Sequence, residues 1–217
     1  SDDQAEFSNV PATCAPVAAP CVIFRLGSGA NSTSGGNLAY TEATSITFDT
    51  TVNSGLSAGT VITNAATVSY SGQTLGATFS TSSASATGTV LSAPTISKSF
   101  VPAVVNTGAP STLTIVVSNP AANPIALSNV SFNDSYLPTP IVNSVTPGPN
   151  IVCTAGSTPG TLVGGVAGGT SVGMGPGANI LPGGNCTITV QVTSPTAGVH
   201  VNTTGNVTST NGGTGGT

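Results

Sequence analysis

Short runs of alternating apolar and polar residues, cut by glycine and proline, constrain the fold of this chain most strongly. Alternation with a period of two is typical of strands with one buried face. The 28 glycines and 16 prolines interrupt the runs too often for helices of ordinary length, and the glycine-rich stretch 164–177 is predicted to be a loop. The pattern predicts an all-β fold of the sandwich type. The expected strands are Cys21–Leu26, Ser45–Val52, Val61–Tyr70, Ala84–Leu91, Ser111–Ser118, Ile125–Phe132, Cys186–Thr193 and Val199–Thr208.

One pattern occurs twice in the sequence. Ile46–Gly72 and Ile188–Gly212 both contain a strand candidate, a turn that ends in Ala-Gly, and a second strand candidate with an asparagine near its start. The asparagines are Asn64 in the first copy and Asn202 in the second. Such internal similarity predicts two related domains.

We expect these domains to be β-sandwiches that cover residues 1–93 and 94–217. The first continues after Gly72 through a further strand candidate, whereas only Gly-Thr-Gly-Gly-Thr follows Gly212. The second domain is therefore expected to lack its last strand, which leaves a sheet edge unpaired. Either the chain is shortened at this point, or a neighbouring chain donates the strand as pilins do.

Charge is almost absent. The chain has two Lys/Arg, six Asp/Glu and one His, a net charge of −4, and 4% charged residues. Because each neutralised phosphate needs its own cation, nucleic-acid binding is not expected. No apolar run is long enough to insert into a membrane. The acidic start, with Asp2, Asp3 and Glu6, is expected to be a mature N terminus left by processing.

The four cysteines form two local groups. Their positions favour the disulfides Cys14–Cys21 and Cys153–Cys186, with free buried thiols as the alternative. No metal site is expected, because neither group has the spacing of a zinc site and His200 is the single histidine.

The second domain resembles the bacterial surface-repeat family catalogued as domain of unknown function 11. The resemblance lies in ISKSFVPAVVNTGAPSTLTIVVSNP from Ile96, NVSFNDSYLP from Asn129, and PGGNCTITVQVTSPTAGVHVNTTGNVTSTNGGTGG from Pro182. It implies strings of immunoglobulin-like sandwiches on secreted or surface-anchored proteins, without catalytic activity. The first domain resembles only the latter half of that family, through Ile46–Gly72.

The single lysine suggests one chemical function. By alternation, Lys98 faces inward with Ile96 and Phe100, and Asp134 faces inward on its own strand. An inward lysine, an inward acid and an asparagine are the components of a spontaneous isopeptide bond, in which a neutral amine attacks a carboxamide and the acid carries protons. The hypothesis is a Lys98–Asn202 bond assisted by Asp134. Asn119 is the other candidate partner, and a plain Lys98–Asp134 ion pair is the alternative.

Two further motifs are weak. Gly169–Gly173 matches the GxSxG pattern of serine hydrolases around Ser171, but no acid follows that serine, so no enzyme is expected. Asn133-Asp134 lacks the additional acidic residues of a calcium site.

The leading hypothesis is a non-catalytic structural subunit of a bacterial extracellular filament or surface layer. Copies of the chain would be joined by β-strand donation, with the segment around Asp2, Asp3 and Glu6, or the residues after it, as the donor. No cofactor is expected. An adhesin that binds a glycan or host protein, or a passive spacer module of a large cell-surface protein, is the alternative.

Overall fold

The structure is a computed structural model that describes residues 3–15, 18–74, 76–144 and 147–217. It is almost entirely β, as the alternation predicts. A single short helix occurs in the described residues, α1 (Pro11–Cys14). The strands are β1 (Gln4–Ser8), β2 (Cys21–Arg25), β3 (Val61–Asn64), β4 (Thr67–Ser71), β5 (Thr78–Ser82), β6 (Ala86–Thr89), β7 (Thr95–Val101), β8 (Ser111–Ser118), β9 (Leu127–Ser135), β10 (Val142–Asn143), β11 (Asn150–Cys153), β12 (Leu162–Gly164), β13 (Ser171–Ile180), β14 (Asn185–Thr193), β15 (Thr208–Ser209) and β16 (Gly213–Thr214).

Two compact units divide the chain. The first comprises residues 1–53 and 63–87, and the second comprises 54–62 and 88–217. In the first unit β1 pairs with β2, and β4 forms an antiparallel hairpin with β5. Its described residues include only three buried ones, Ser8, Cys14 and Ala30. A sandwich over residues 1–93 therefore stays a prediction.

The strand predictions fail in part within this region. Ser45–Val52 has no strand, and Val61–Tyr70 is divided into β3 and β4. The facing positions of β4 and β5 explain the weak packing, because most of them are Ser or Thr. Tyr70 and Phe79 stack on each other with ring centroids 5.4 Å apart, yet both side chains are about half exposed. Few large apolar residues are thus available to bury a second layer.

The second unit contains two five-stranded antiparallel sheets. The first sheet has the order β10-β14-β8-β7, with β11 also paired to β14, and the second has the order β12-β13-β9-β15-β16. Strand β8 alternates strictly between buried and half-buried residues, as the period of two requires. Inward residues of both sheets form one core: Leu113, Ile115, Val117, Ile188 and Val190 from the first sheet, and Leu127, Val130, Phe132, Val172, Met174 and Ile180 from the second. The two sheets therefore pack face to face.

The glycine-rich stretch 164–177 is not the predicted loop, because β13 occupies much of it. Strand β13 pairs with β9, and Gly173 lies opposite Asn133. A Cβ atom at Gly173 would come 2.5 Å from the Phe132 carbonyl oxygen. Glycine is needed here because the two backbones approach so closely. Composition suggested a loop, but the inward residues of this strand are buried core.

Candidate functional site

Strand alternation brings Lys98 and Asp134 into the interior of the second unit. On β7, Ile96, Lys98 and Phe100 are partly buried while their neighbours in sequence are exposed. On β9, Asp134 is fully buried on the face that carries Val130 and Phe132. Strand β7 is the edge of one sheet and β9 lies in the other, so the lysine and the acid meet between the two sheets. These orientations are the ones that the alternation predicts.

The buried carboxylate of Asp134 binds both Lys98 and Asn202. Lys98 Nζ lies 3.0 Å from Asp134 Oδ1, and the Asn202 amide nitrogen Nδ2 donates to the same oxygen at 3.1 Å and to Oδ2 at 2.9 Å. The exposed fraction of the side chain is 0% for Asp134 and 15% for Lys98. A buried charge is stable only when it is paired and hydrogen-bonded, and this carboxylate is both. We call Lys98, Asp134 and Asn202 the triad.

Asn202 reaches the triad from a segment that is not the predicted strand. Residues 199–207 have no strand assignment, and only the last residue of the predicted Val199–Thr208 strand, Thr208, belongs to β15. The segment is held to β9 further along, where Gly205 N–H donates to the Asn133 carbonyl at 3.0 Å. Among the described residues, no strand lies beside residues 199–202 to pair with them. A strand forms only where a neighbour completes its backbone hydrogen bonds, so this segment stays outside the sheet.

The carbonyl oxygen of Asn202 is the exception in this network. Oδ1 is buried and has no hydrogen-bond partner, whereas Nδ2 makes two bonds to Asp134. Leaving a buried acceptor without a donor costs about 1–3 kcal/mol. A native protein retains such an atom for a reason, and functional sites are among the places where this occurs.

Tyr136 and Asn143 form a second buried polar pair near the triad, which the sequence reasoning missed. The Tyr136 hydroxyl donates to Asn143 Oδ1 at 2.7 Å, and Asn143 Nδ2 donates to the Ser171 carbonyl at 3.0 Å. Burial, and to a lesser degree the negative charge of Asp134, raises the pKa of Tyr136 well above its ordinary value. The position of Tyr136 two residues after Asp134 was the available signal.

Asn119, the other candidate partner of Lys98, belongs to a different cluster. Its amide nitrogen donates to the Ile125 and Ile180 carbonyls, and its Oδ1 accepts a bond of 2.7 Å from Asn123 Nδ2. Asn123 in turn bonds to both backbone polar groups of Ser92. Through these hydrogen bonds, Asn119 and Asn123 fix the backbone at Ser92, just before β7. Both polar atoms of the Asn119 side chain are already hydrogen-bonded, so neither is available to Lys98.

The sheet edge beside the triad is only partly closed. Strand β16 pairs with β15, and the pairing continues through hydrogen bonds that join Val207 to Gly215 and Gly216. Beyond them, Val199 and Val201 are 93% and 75% exposed. A shallow pocket next to this stretch is lined by Ile96, Ser97, Lys98, Asn202, Thr203, Thr204 and Thr217. We call residues 199–202 the open edge.

The serine motif has a structural explanation. Ser171 is the first residue of β13, in a strand paired with β9, rather than at a turn from a strand into a helix. His200 Nε2 lies 3.0 Å from both Ser194 Oγ and the Thr196 carbonyl. The motif therefore coincides with a strand start, and its last residue, Gly173, is the close-approach glycine described above.

Neither a metal-binding cluster nor a membrane-spanning helix occurs in the part of the chain that the structure describes. No group of three His, Cys, Asp or Glu side chains that could hold a metal ion occurs there. In the Asn133-Asp134 motif, the Asp134 carboxylate is already bound by Lys98 and Asn202. No helix in the described residues has the length and hydropathy needed to cross a bilayer.

Both predicted disulfides are present. Cys14–Cys21 joins α1 to β2, and Cys153–Cys186 joins β11 to β14 at facing positions of the ladder. Disulfides are typical of proteins that fold in oxidising compartments. Two of them in a chain of this size are compatible with a secreted protein.

Comparison with known proteins assigns a family to the second part of the chain. A search of curated proteins finds no match. A protein-family model matches residues 94–217, which is more than half of the 217 residues. It does not support the resemblance to domain of unknown function 11 or the bacterial origin which that resemblance implied. The chain belongs to the family described as Domain of unknown function (DUF7933).

Proposed function

We propose that this protein is a non-catalytic structural subunit of an extracellular filament or surface layer, and that neighbouring subunits are joined by β-strand donation at the open edge. The observation that carries the proposal is the stretch 199–202, which pairs with no strand among the described residues and in which Val199 and Val201 are largely exposed. An unpaired edge presents a row of backbone donors and acceptors that a further strand can bind.

The internal repeat indicates what a donor strand at the open edge would look like. In the first copy, β3 follows the Ala-Gly turn as residues 199–202 do in the second copy, and β3 pairs with β6. Gly59 N–H donates to the Val90 carbonyl at 2.9 Å, and Val90 N–H donates to the Thr60 carbonyl at 2.9 Å. A donor strand with the pattern of residues 83–91 would supply the equivalent bonds at the open edge.

The surroundings of the open edge suit a small, apolar donor. The adjacent pocket is lined by Ile96, threonines and the stem of Lys98, so alternate side chains of an added strand would pack against apolar atoms. With only 4% charged residues, like chains meet little electrostatic repulsion when they associate. Two disulfides support a location outside the cell.

The N-terminal segment is a poorer donor than the sequence suggested. Asp2 lies outside the described residues. Asp3 accepts a bond of 2.8 Å from Gly27 N–H, and Glu6 lies in β1 with an ion pair of 2.7 Å to Arg25. Donation from β1 would require its ladder with β2 to open first. We take a strand with the sequence pattern of 83–91 as the donor. Because β6 is paired with β3 within its own subunit, donation by a neighbouring copy requires that pairing to exchange between subunits.

A synthetic peptide tests this function directly. Residues 83–93 of the chain are added to the purified protein, and the control peptide carries Thr87→Pro, which removes a backbone donor and disfavours the extended ladder. We expect filaments of the protein in negative-stain electron microscopy. The peptide should bind, raise the melting temperature and shorten the filaments, whereas the proline peptide should do none of these.

Two results would contradict the proposal. One is a dispersed monomer that binds neither peptide. The other is binding of both peptides with equal affinity, because that would show attraction without strand pairing. A Val201→Pro variant provides a further check, since it blocks the open edge and should abolish filaments while leaving the circular dichroism spectrum unchanged.

A further inference from the structure

We propose that Lys98 and Asn202 become joined by an intramolecular isopeptide bond, with Asp134 as the proton carrier. The inference is independent of strand donation, since it concerns the interior of one subunit. It rests on the geometry of the triad and on the buried Asn202 oxygen without a partner.

The triad places a nucleophile and an electrophile on one acid. Lys98 Nζ and Asn202 Nδ2 are both within hydrogen-bond distance of Asp134 Oδ1. Two groups held by a common partner react with each other as though at very high concentration. Asp134 is fully buried, so water does not compete for its oxygens.

The reaction balances without any added reagent. Lys98 first transfers a proton to Asp134, which leaves a neutral amine next to a neutral carboxylic acid. The amine nitrogen attacks Asn202 Cγ, and a new C–N bond forms as the carbonyl electrons move to Oδ1. The acid donates a proton toward the departing nitrogen and takes one from the attacking nitrogen. The bond from Cγ to Nδ2 then breaks, the carbonyl is restored, and ammonia leaves.

The unpartnered Asn202 oxygen fits this sequence of steps. Rotation of the carboxamide by a half turn exchanges Oδ1 and Nδ2, which have nearly the same size. Oδ1 would then accept a hydrogen bond from the protonated Asp134 during the attack, and that bond would stabilise the oxyanion. Rotation about the Cβ–Cγ bond of the tetrahedral intermediate would return the nitrogen to the acid, which then protonates it before it leaves. A merely structural asparagine would be expected to satisfy both ends of its amide, as Asn119 does.

The bond would connect distant parts of the second unit. Lys98 lies on β7, the first strand of the two sheets, and Asn202 lies in the segment before β15. The cross-link would join β7, the edge strand of one sheet, to the segment that leads into β15 of the other sheet. Pulling on the second unit would then load a covalent bond instead of a row of hydrogen bonds.

Intact mass is the primary measurement. After correction for two disulfides, the protein should be lighter than its sequence mass by one ammonia, about 17 Da. Trypsin gives a second readout, because Arg25 and Lys98 are the chain's only cleavage sites. With the bond in place, the reduced and denatured protein should resist cleavage after Lys98 and retain an intact 26–217 fragment. A further digest of this fragment with chymotrypsin, followed by tandem mass spectrometry, should then find a peptide pair joined through these two residues.

Variants separate the bond from a plain ion pair. Lys98→Arg retains the positive charge but replaces the amine with a poor nucleophile, so it should lose no ammonia. Asn202→Ala and Asp134→Asn should also have the full sequence mass, with circular dichroism as the check on folding. The matched control is Asn206→Ala, an exposed position in the same segment, which should lose ammonia as the wild type does.

The result that overturns the inference is a folded wild-type protein with its full sequence mass and ordinary cleavage after Lys98. That outcome would leave the triad as an ion pair with an asparagine ligand. Loss of ammonia in Asp134→Asn would overturn the role assigned to the acid. Neither result bears on filament formation, which is read by microscopy and peptide binding.

Discussion

Replacing Tyr136 with phenylalanine should change how the stability of the protein depends on alkaline pH. Tyr136 has no exposed surface, and its hydroxyl donates to Asn143 Oδ1 at 2.7 Å. Burial first, and the charge of Asp134 second, raise the pKa of Tyr136 above its ordinary value of 10.0. The folded protein therefore keeps the phenol proton at pH values at which the unfolded chain releases it.

The sign and size of the effect follow from proton linkage. The stability that the neutral phenol contributes is complete below pH 10.0, the value of the unfolded chain, and is lost as the pH rises above it. One group changes the free energy of unfolding by about 1.4 kcal/mol per pH unit in that range, so roughly 2 kcal/mol is lost by about pH 11.5. Tyr136→Phe removes this dependence. It also leaves buried Asn143 Oδ1 without a donor, which costs about 1–3 kcal/mol at neutral pH.

Urea unfolding followed by circular dichroism at a series of pH values measures both effects. We expect Tyr136→Phe to be less stable than wild type at neutral pH and the difference to narrow above pH 10. Tyr40→Phe is the matched control, because Tyr40 is 95% exposed, and its profile should follow that of the wild type. If the profiles of Tyr136→Phe and wild type stay parallel to about pH 11.5, the buried phenol does not hold its proton and the reasoning is refuted.

Three further changes test the packing and the two disulfides. Ile188 faces Ile115 across the ladder and has no exposed surface, so Ile188→Ala should cost about 2–5 kcal/mol of unfolding free energy in urea titrations. Val104→Ala, at an 89% exposed side chain, should stay within about 0.5 kcal/mol, and similar losses for both would argue against a shared core. Replacing both Cys153 and Cys186 with serine, which opens a loop with a sequence separation of 33, should cost about 3–4 kcal/mol. The same replacement of Cys14 and Cys21, with a separation of 7, should cost about 2 kcal/mol, and the reverse order in thermal or urea unfolding would contradict the loop-entropy account.

The candidate site shows which of its features the strand alternation predicts and which it does not. The period of two placed Lys98 and Asp134 on inward faces, because a strand residue and its second neighbours always share a side. Alternation could not choose between Asn119 and Asn202 as the partner, since that choice depends on which strands of the two sheets face each other. It also missed the pairing of Tyr136 with Asn143, whose seven-residue separation has no pattern in the sequence.

Local composition failed where tertiary contacts decide the structure. The glycines of 164–177 suggested a loop, yet β13 is a core strand in which Gly173 permits the close approach of β9. The valines of 199–202 suggested a strand, yet they remain outside any ladder among the described residues because no neighbour supplies the hydrogen bonds. A strand needs a partner, and a propensity for extended structure does not provide one.

The sequence by itself determined the all-β class, the strands β8 and β14 almost to the residue, the cysteine pairing and the inward direction of the lysine and the acid. Each of these follows from short-range geometry or from local spacing, and both depend only on residues that are close together in the sequence. Only the tertiary structure decided that Asn202 joins Lys98 on the buried Asp134, that its oxygen is without a partner, and that the sheet edge beside it is open. Those features depend on how two sheets face each other across a common core, and that arrangement joins residues that are far apart in the chain.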